Sequence, residues 1–283
     1  MILRGTTQVF GIFGHPVEHS LSPIMQNAAF QALGMNAVYV PFPVAPEKLA
    51  DAVDGVRALG IRGVNVTIPH KEKIIEFLDE LDRKARMIGA VNTVVNKDGY
   101  LIGYNTDETG LIKSLARDLD FCPKGRRILM LGAGGAGRAA LVALAEMGAR
   151  WIGIVNRTRE KAEDLARSFR DSFPGTIFAV VGLDETELAE VCPSVDLVLN
   201  SSAVGMKGEV FTQIPWSRLN RSAVVYDIVY RTPVTPLVTT AREYGYRAAD
   251  GLGMLIAQGE DAFRIWTGQD PPEGAMQRAL GLP

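Results

Sequence analysis

Ile128-Leu129-Met130-Leu131-Gly132-Ala133-Gly134-Gly135-Ala136-Gly137, followed by the apolar run Ala139 to Leu144, is the stretch on which the fold turns. Four consecutive apolar residues stopped by glycine read as a buried strand, and the apolar run beyond the glycines reads as a helix packed on it. Glycines at 132, 134 and 137 have the G-x-G-x-x-G spacing. In that pattern absent Cβ atoms permit a tight turn, close approach of a pyrophosphate and close helix packing. The amides opening such a helix face an anion, which makes Gly132, Ala133, Gly134, Gly135, Ala136 and Gly137 candidate cofactor contacts. Taken alone, the same residues also describe a glycine-rich turn between two buried elements.

Working outward, Trp151-Ile152-Gly153-Ile154-Val155 is a second apolar strand that ends at Asn156-Arg157-Thr158. There a dinucleotide-binding unit places the group that reads the adenosine ribose. A carboxylate at that point accepts from the 2′-hydroxyl but repels a 2′-phosphate, whereas the Arg157 guanidinium clamps phosphate oxygens bidentately. The implied cofactor is NADP, with Asn156, Arg157 and Thr158 at its adenosine end. The structural alternative makes Arg157 a solvated side chain and Thr158 the N-cap of a charged helix from Arg159 to Arg170. Arg159 and Lys161 fit either an assisting role or an exposed helix face.

The chain has 283 residues, 47% of them hydrophobic and 22% charged, enough for a sizeable core and for two domains. A formal net charge of −2 offers no general attraction for nucleic acid or anionic membrane, so the expected partner is a small-molecule substrate. Met1-Ile2-Leu3-Arg4-Gly5 has no apolar signal segment and no apolar run is long enough to span a bilayer, so a cytoplasmic location is expected. Cys122 and Cys192 stand in unrelated contexts, and His15, His19 and His70 lack a compact ligand set around them, so no metal site is expected.

Short apolar β-type runs alternate with helical segments, as in an α/β fold of parallel sheets covered by crossover helices. Strands are expected near Val9 to Phe13, Ala37 to Phe42, Gly63 to Val66 and Ala90 to Val95, with helices over Pro23 to Leu33 and Pro46 to Leu59. A helix near Asp107 to Leu119 leads out of this half, and Cys122-Pro123-Lys124-Gly125 breaks the chain before the glycine-rich strand. Helical segments Leu252 to Trp266 and Glu273 to Leu280 then return to the first half. The expected organisation is residues 1–106 with 250–283 as a substrate-binding and catalytic domain, residues 107–249 as a Rossmann-type dinucleotide-binding domain, and a cleft between them.

The first half carries polar groups that core patterning does not explain. Ser20 and Ser22 end a loop that follows a strand, although Ser22 with Pro23 also suits a helix N-cap. Asn65-Val66-Thr67-Ile68-Pro69-His70-Lys71 places polar residues at a strand's carboxyl end, where open sheets bind ligands. Asn92 sits inside the apolar run Ala90-Val91-Asn92-Thr93-Val94, where an amide needs hydrogen-bond partners. Lys71, followed by Glu72 and Lys73, also reads as a solvated first-turn lysine, and Asp107 in Asn105-Thr106-Asp107 as a helix cap.

These motifs together, with Asn200-Ser201-Ser202-Ala203-Val204-Gly205-Met206 and the tail Asp250-Gly251-Leu252-Gly253-Met254-Leu255 to Gln258-Gly259, resemble the shikimate dehydrogenases along essentially the whole chain. The resemblance implies NADPH-dependent, reversible reduction of 3-dehydroshikimate to shikimate, a step of aromatic amino-acid biosynthesis. It implies Lys71 and Asp107 as the catalytic pair, and Ser20, Ser22, Asn65, Thr67, Asn92, Asp107, Tyr230 and Gln258 as the groups holding the substrate. It also implies cofactor contacts from Ser202, Val204, Met206, Ile228, Gly253 and Met254. In Tyr230-Arg231-Thr232-Pro233 the proline falls one place later than in the family pattern, and Ser202 stands where threonine is common.

The chemistry has its own logic. A carboxylated, hydroxylated substrate calls for many fixed donors and acceptors, and hydride arriving at a ketone builds negative charge that a nearby ammonium neutralises while delivering a proton. Two rivals remain at this point: a quinate or aminoshikimate dehydrogenase paralogue, and a non-catalytic NADP-sensing protein. A monomer and a homodimer both fit the sequence.

Overall fold

The computed structural model describes residues 2–231 and 234–282, so Thr232 and the displaced Pro233 lie outside the described residues. In chain order, β1 (Gln8–Gly14), α1 (Ser22–Ala32), β2 (Ala37–Pro43), α2 (Leu49–Ala58), β3 (Gly63–Val66), β4 (Glu80–Leu81), α3 (Arg83–Ile88), β5 (Thr93–Lys97) and β6 (Tyr100–Tyr104) precede α4 (Asp107–Leu119). Next come β7 (Arg127–Leu131), α5 (Gly135–Glu146), β8 (Trp151–Val155), α6 (Arg159–Phe169), β9 (Ile177–Val181), α7 (Glu185–Val191) and β10 (Leu197–Asn200). The chain closes with β11 (Val224–Asp227), α8 (Pro236–Glu243), β12 (Arg247–Ala249), α9 (Leu252–Thr267) and α10 (Ala275–Ala279). These elements fall into two compact units, one holding residues up to Asp107 and from Leu255 onward, the other Glu108–Met254.

The first unit is built on a six-stranded sheet in the order β2-β1-β3-β5-β6-β4. It is mixed, not parallel as the alternation of elements suggests: β5 runs antiparallel to both β3 and β6. The reason is local. Asp98 and Gly99 both take positive φ (52° and 96°), which closes a two-residue hairpin and obliges β6 to run back along β5. β5 also starts at Thr93 and continues past Val95, a shift from the expected 90–95 span. It can carry the polar Asn96 in its buried part because Asn96 Nδ2 donates to Val56 O (3.0 Å) and Ile61 O (2.9 Å).

The C-terminal helices complete this unit's core. Phe263 packs on Phe30 with ring centroids 5.2 Å apart, Trp266 packs on Phe10 at 5.3 Å, and Trp266 Nε1 donates to Val94 O at 2.9 Å. At the other end of the unit, α1 begins at Ser22 with Leu21 in the N-cap position and no side-chain cap. Capping therefore does not account for Ser22.

The second unit's sheet has the order β12-β11-β10-β7-β8-β9 with every pairing parallel. This is the strand order of dinucleotide-binding folds, with its switch point between β7 and β10. Leu131 pairs with Asn200 at that point, so the glycine-rich turn and the 200–206 segment leave the sheet side by side. Among the described residues no helix is long and apolar enough to cross a membrane.

Candidate active site

In the first unit, the loops following the neighbouring strands β1 and β3 are tied together by His15 N donating to Ile68 O at 3.0 Å. Lys71 lies in the turn between β3 and a short 3-10 segment, Lys73–Phe77, and not in an α-helix's first turn. The turn is held by His70 N to Thr67 O (2.9 Å) and Val91 N to Lys71 O (2.7 Å). His70 itself is buried with Nε2 2.7 Å from Val44 O, a packing role.

The Lys71 side chain points inward. Its Nζ donates to Asp107 Oδ2 at 2.6 Å, and the two side chains are only 15% and 6% exposed. Lys73, two residues on, shows what a solvated lysine does here: it pairs with Glu76 while both side chains stay more than half exposed. The cap reading of Asp107 is also displaced: Asp107 is itself the first residue of α4, its amide is taken by Asn105 Oδ1 (3.0 Å), and Asn105 Nδ2 is anchored on Ala90 O (2.9 Å). The carboxylate is thereby left to face Lys71 and Asn92, whose Nδ2 donates to Asp107 Oδ1 at 2.9 Å. A largely buried ion pair of this kind is costly to leave half-made, since either partner alone is a poorly compensated charge.

The other groups the motifs point to are differently engaged. Asn92 Nδ2 also reaches Thr106 Oγ1 (2.9 Å) and Gln258 Oε1 (3.4 Å), so α9 contributes to the same cluster. The Ser22 and Thr67 hydroxyls make no hydrogen bond among the described residues, and Ser20 Oγ accepts only the Ser22 amide, at 3.3 Å. Asn65 is differently placed: both its amide hydrogens are donated internally, to Asn92 O (3.0 Å) and Thr93 Oγ1 (3.1 Å), and its Oδ1 accepts from Tyr39 Oη (2.7 Å). One lone pair of that carbonyl oxygen keeps capacity for a ligand. Tyr230 belongs to the second unit, half-buried three residues beyond β11.

All the nucleotide candidates lie in the second unit. Gly132 has φ +118°, and a Cβ there would stand 2.8 Å from Ser202 N; one at Gly137 would stand 2.9 Å from Gly132 O. A Cβ at Gly134, in contrast, would meet no protein atom within 4 Å, so that glycine opens a free approach to the N-terminus of α5. Arg157 is exposed and bonded to nothing among the described residues, while Arg159 is engaged by Glu163 (3.3 Å) and Glu187 (3.9 Å). Thr158 occupies the N-cap position of α6 without a side-chain cap bond.

The nicotinamide-side candidates divide. Ser202 Oγ donates to Asn200 Oδ1 (2.7 Å) and accepts from Val204 N (3.2 Å), so the retained hydroxyl shapes the turn. Val204 and Ile228 are half-buried and Met206 is exposed. Gly253 has a packing reason of its own, because a Cβ there would fall 2.1 Å from Asp118 Oδ2 on α4. Met254 is buried.

Asp227, which the motifs did not single out, braces this end of the sheet: its Oδ1 accepts from Asn200 Nδ2 (2.7 Å) and Val229 N (3.0 Å). Burial pushes its carboxyl up to about 6 from the ordinary 3.8, with the neighbouring donors pulling the other way. The folded chain therefore keeps this proton to higher pH than the unfolded chain, and stability falls as pH rises from 3.8 through 6. The full loss is on the order of 3 kcal/mol. Asp227→Asn is expected to match the parent's Tm at pH 4 and to exceed it at pH 8. A lower Tm at pH 8 in thermal denaturation would refute this account.

Comparison with known proteins gives these features a family. The family model of the shikimate dehydrogenase substrate binding domain matches residues 12–94, that of shikimate / quinate 5-dehydrogenase residues 114–244, and that of the shikimate 5′-dehydrogenase C-terminal domain residues 251–280. The shikimate dehydrogenase (NADP(+)) of Geobacter metallireducens is 51% identical over 280 residues, covering 99% of this chain and 98% of the relative. The chain belongs to the shikimate dehydrogenase family. Among solved shikimate dehydrogenases, that of Aquifex aeolicus superposes with a TM-score of 0.89 at 41% identity, covering 99% of both chains. The shikimate 5-dehydrogenase of Thermus thermophilus, in complex with NADP(H) and shikimate, superposes with a TM-score of 0.85 at 36% identity, over 96% of this chain and 98% of that one.

Proposed function

We propose that this chain is an NADP-dependent shikimate dehydrogenase, which reduces 3-dehydroshikimate to shikimate and catalyses the reverse oxidation. The observation that carries the reading is the largely buried Lys71–Asp107 pair at 2.6 Å, with Asn92 beside it in the first unit. Lys71 Nζ donates the proton that the carbonyl oxygen takes up on reduction, and its charge stabilises the developing oxyanion. Asp107 accepts from the ammonium at 2.6 Å and orients it. Ser20, Ser22 and Thr67, with free hydroxyl capacity, the remaining lone pair of the Asn65 carbonyl and Gln258 hold the substrate's hydroxyls and carboxylate, while Asn92, engaged on both sides of its amide, places the Asp107 carboxylate beside them. The first unit is thus the substrate-binding and catalytic domain, and the second the nucleotide domain.

The second unit fits NADP. The open approach at Gly134 and the amides opening α5 suit a pyrophosphate, and the unpaired Arg157 suits a 2′-phosphate. NADPH bound there supplies the hydride that reduces the ketone carbon. Ser202, Val204, Met206 and Ile228 form the other end of the proposed site, with Gly253 and Met254 shaping it from α9.

Because one matching family model spans both shikimate and quinate 5-dehydrogenases, the decisive experiment compares substrates. Initial rates are measured for shikimate and quinate, each with NADP+ and NAD+. The expected result is that shikimate with NADP+ has the highest kcat/KM of the four. A higher value for quinate, or no turnover of either substrate, would overturn the proposal.

A further inference from the structure

A directed line of hydrogen bonds connects the Lys71–Asp107 pair to a tyrosine three strands away. Tyr39 Oη donates to Asn65 Oδ1 at 2.7 Å, and Asn65 Nδ2 donates to Thr93 Oγ1 at 3.1 Å. Thr93 Oγ1 donates to Asn92 Oδ1 at 3.0 Å, and Asn92 Nδ2 donates to Asp107 Oδ1 at 2.9 Å. Every donor in the series points toward the carboxylate, and all five residues are buried.

Sheet register explains how such a line forms. Asn65 pairs directly with Thr93 across β3 and β5, and with Ile12 across β3 and β1. Ile12 in turn pairs with Pro41 on β2. Tyr39, two residues before Pro41, shares that face, because side chains alternate with period two. The phenol reaches over β1 to Asn65. Hydrogen bonds arranged head to tail in a low dielectric polarise one another, so a donor at the far end strengthens the bond at the near end.

A second consequence is geometric. Asn92 Oδ1 also accepts the Thr106 amide at 2.8 Å, and its Nδ2 serves Asp107, so the orientation of one amide plane sets where the carboxylate points. The Thr93 hydroxyl is the group that holds this plane from the sheet side. Asn65 holds Thr93, and Tyr39 holds Asn65.

We propose that Tyr39, Asn65 and Thr93 are positioning residues: acting through Asn92, they fix the Asp107 carboxylate and so the aim of the Lys71 ammonium. This rests on the reading that Lys71 and Asp107 act on the substrate, and one arm of the test is independent of it. The variants are Tyr39→Phe, Thr93→Val and Thr93→Ser in the full chain. The measurements are kcat and KM for shikimate and NADP+, and the side-chain amide resonances of Asn92 in protein labelled with 15N-asparagine.

Loss of one net hydrogen bond at Thr93 is expected to lower kcat about threefold to tenfold with KM for NADP+ unchanged. Thr93→Ser, which keeps the hydroxyl, restores kcat. Tyr39→Phe has a smaller effect on kcat but moves the Asn92 amide protons upfield, although the two residues do not touch. A kcat for Thr93→Val within about twofold of the parent, a Thr93→Ser variant as impaired as Thr93→Val, or an Asn92 signal unmoved by Tyr39→Phe would each overturn the inference. Should the parent fail to oxidise shikimate while Tyr39→Phe still shifts Asn92, the relay stands and the substrate assignment falls.

Discussion

Replacing Lys71 with methionine is expected to lower kcat by about three orders of magnitude, the combined loss of a general acid and a transition-state charge. Methionine keeps much of the side chain's length and apolar body, so the change is mainly one of charge and proton. Binding of NADPH, followed by nucleotide fluorescence, should be unchanged, because every proposed nucleotide contact belongs to residues 108–254, the other compact unit. The substitution also strands Asp107, whose side chain is 6% exposed, without its cation. A stability loss on the order of 3 kcal/mol should accompany it. The double variant Lys71→Met/Asp107→Asn separates the two effects: it should recover most of the stability and none of the activity. A kcat for Lys71→Met within tenfold of the parent, with intact folding, removes the residue from the chemistry.

The two units differ in how openly their sequences announce them, and the difference is physical. A parallel sheet covered on both faces buries every residue of its central strands, which leaves unbroken apolar runs such as Ile128 to Leu131 and Trp151 to Val155. All of these residues are indeed buried. The glycine turn is legible for a related reason: at Gly132 and Gly137 a side chain has nowhere to go, so residue type reports backbone and packing directly. In the first unit the decisive signal for the mixed sheet, Asp98-Gly99, is two residues long. The alternation of strands and helices around it points to a parallel sheet, though the dipeptide is a strong hairpin signal in its own right.

The reach of the Lys71–Asp107 pair is less legible still. Lys71 is followed by Glu72 and Lys73, so local context describes a wet surface, and its real partner lies 36 residues away. Tyr39 gives no signal, and Thr93 none beyond its place in the motif around Asn92: a tyrosine and a threonine in strands are ordinary β residues, and only the cross-strand register brings their hydroxyls into line. Gly253 shows the opposite case, a glycine in a family motif whose missing side chain makes room for Ser114 and Asp118 on α4. Sequence marks where a side chain is impossible more clearly than it marks what a permitted side chain touches.

Arg157→Ala should change cofactor choice more than any other single substitution outside Lys71 and Asp107. A bidentate, charge-assisted bond to a phosphate contributes about 2–3 kcal/mol, so the KM for NADP+ is expected to rise about 30-fold to 150-fold. The KM for NAD+, which has no 2′-phosphate, should move little, so preference between the two collapses from the NADP side alone. The structure makes this a clean measurement. Arg157 is exposed and carries no bond among the described residues, so its removal should leave Tm unchanged. Arg159 supplies the control: it is already engaged by Glu163 and Glu187, and Arg159→Ala should weaken NADP+ binding far less. If Arg159→Ala instead proves the more damaging of the two, the phosphate is read from the first turn of α6, and the end of β8 only shapes the approach to it.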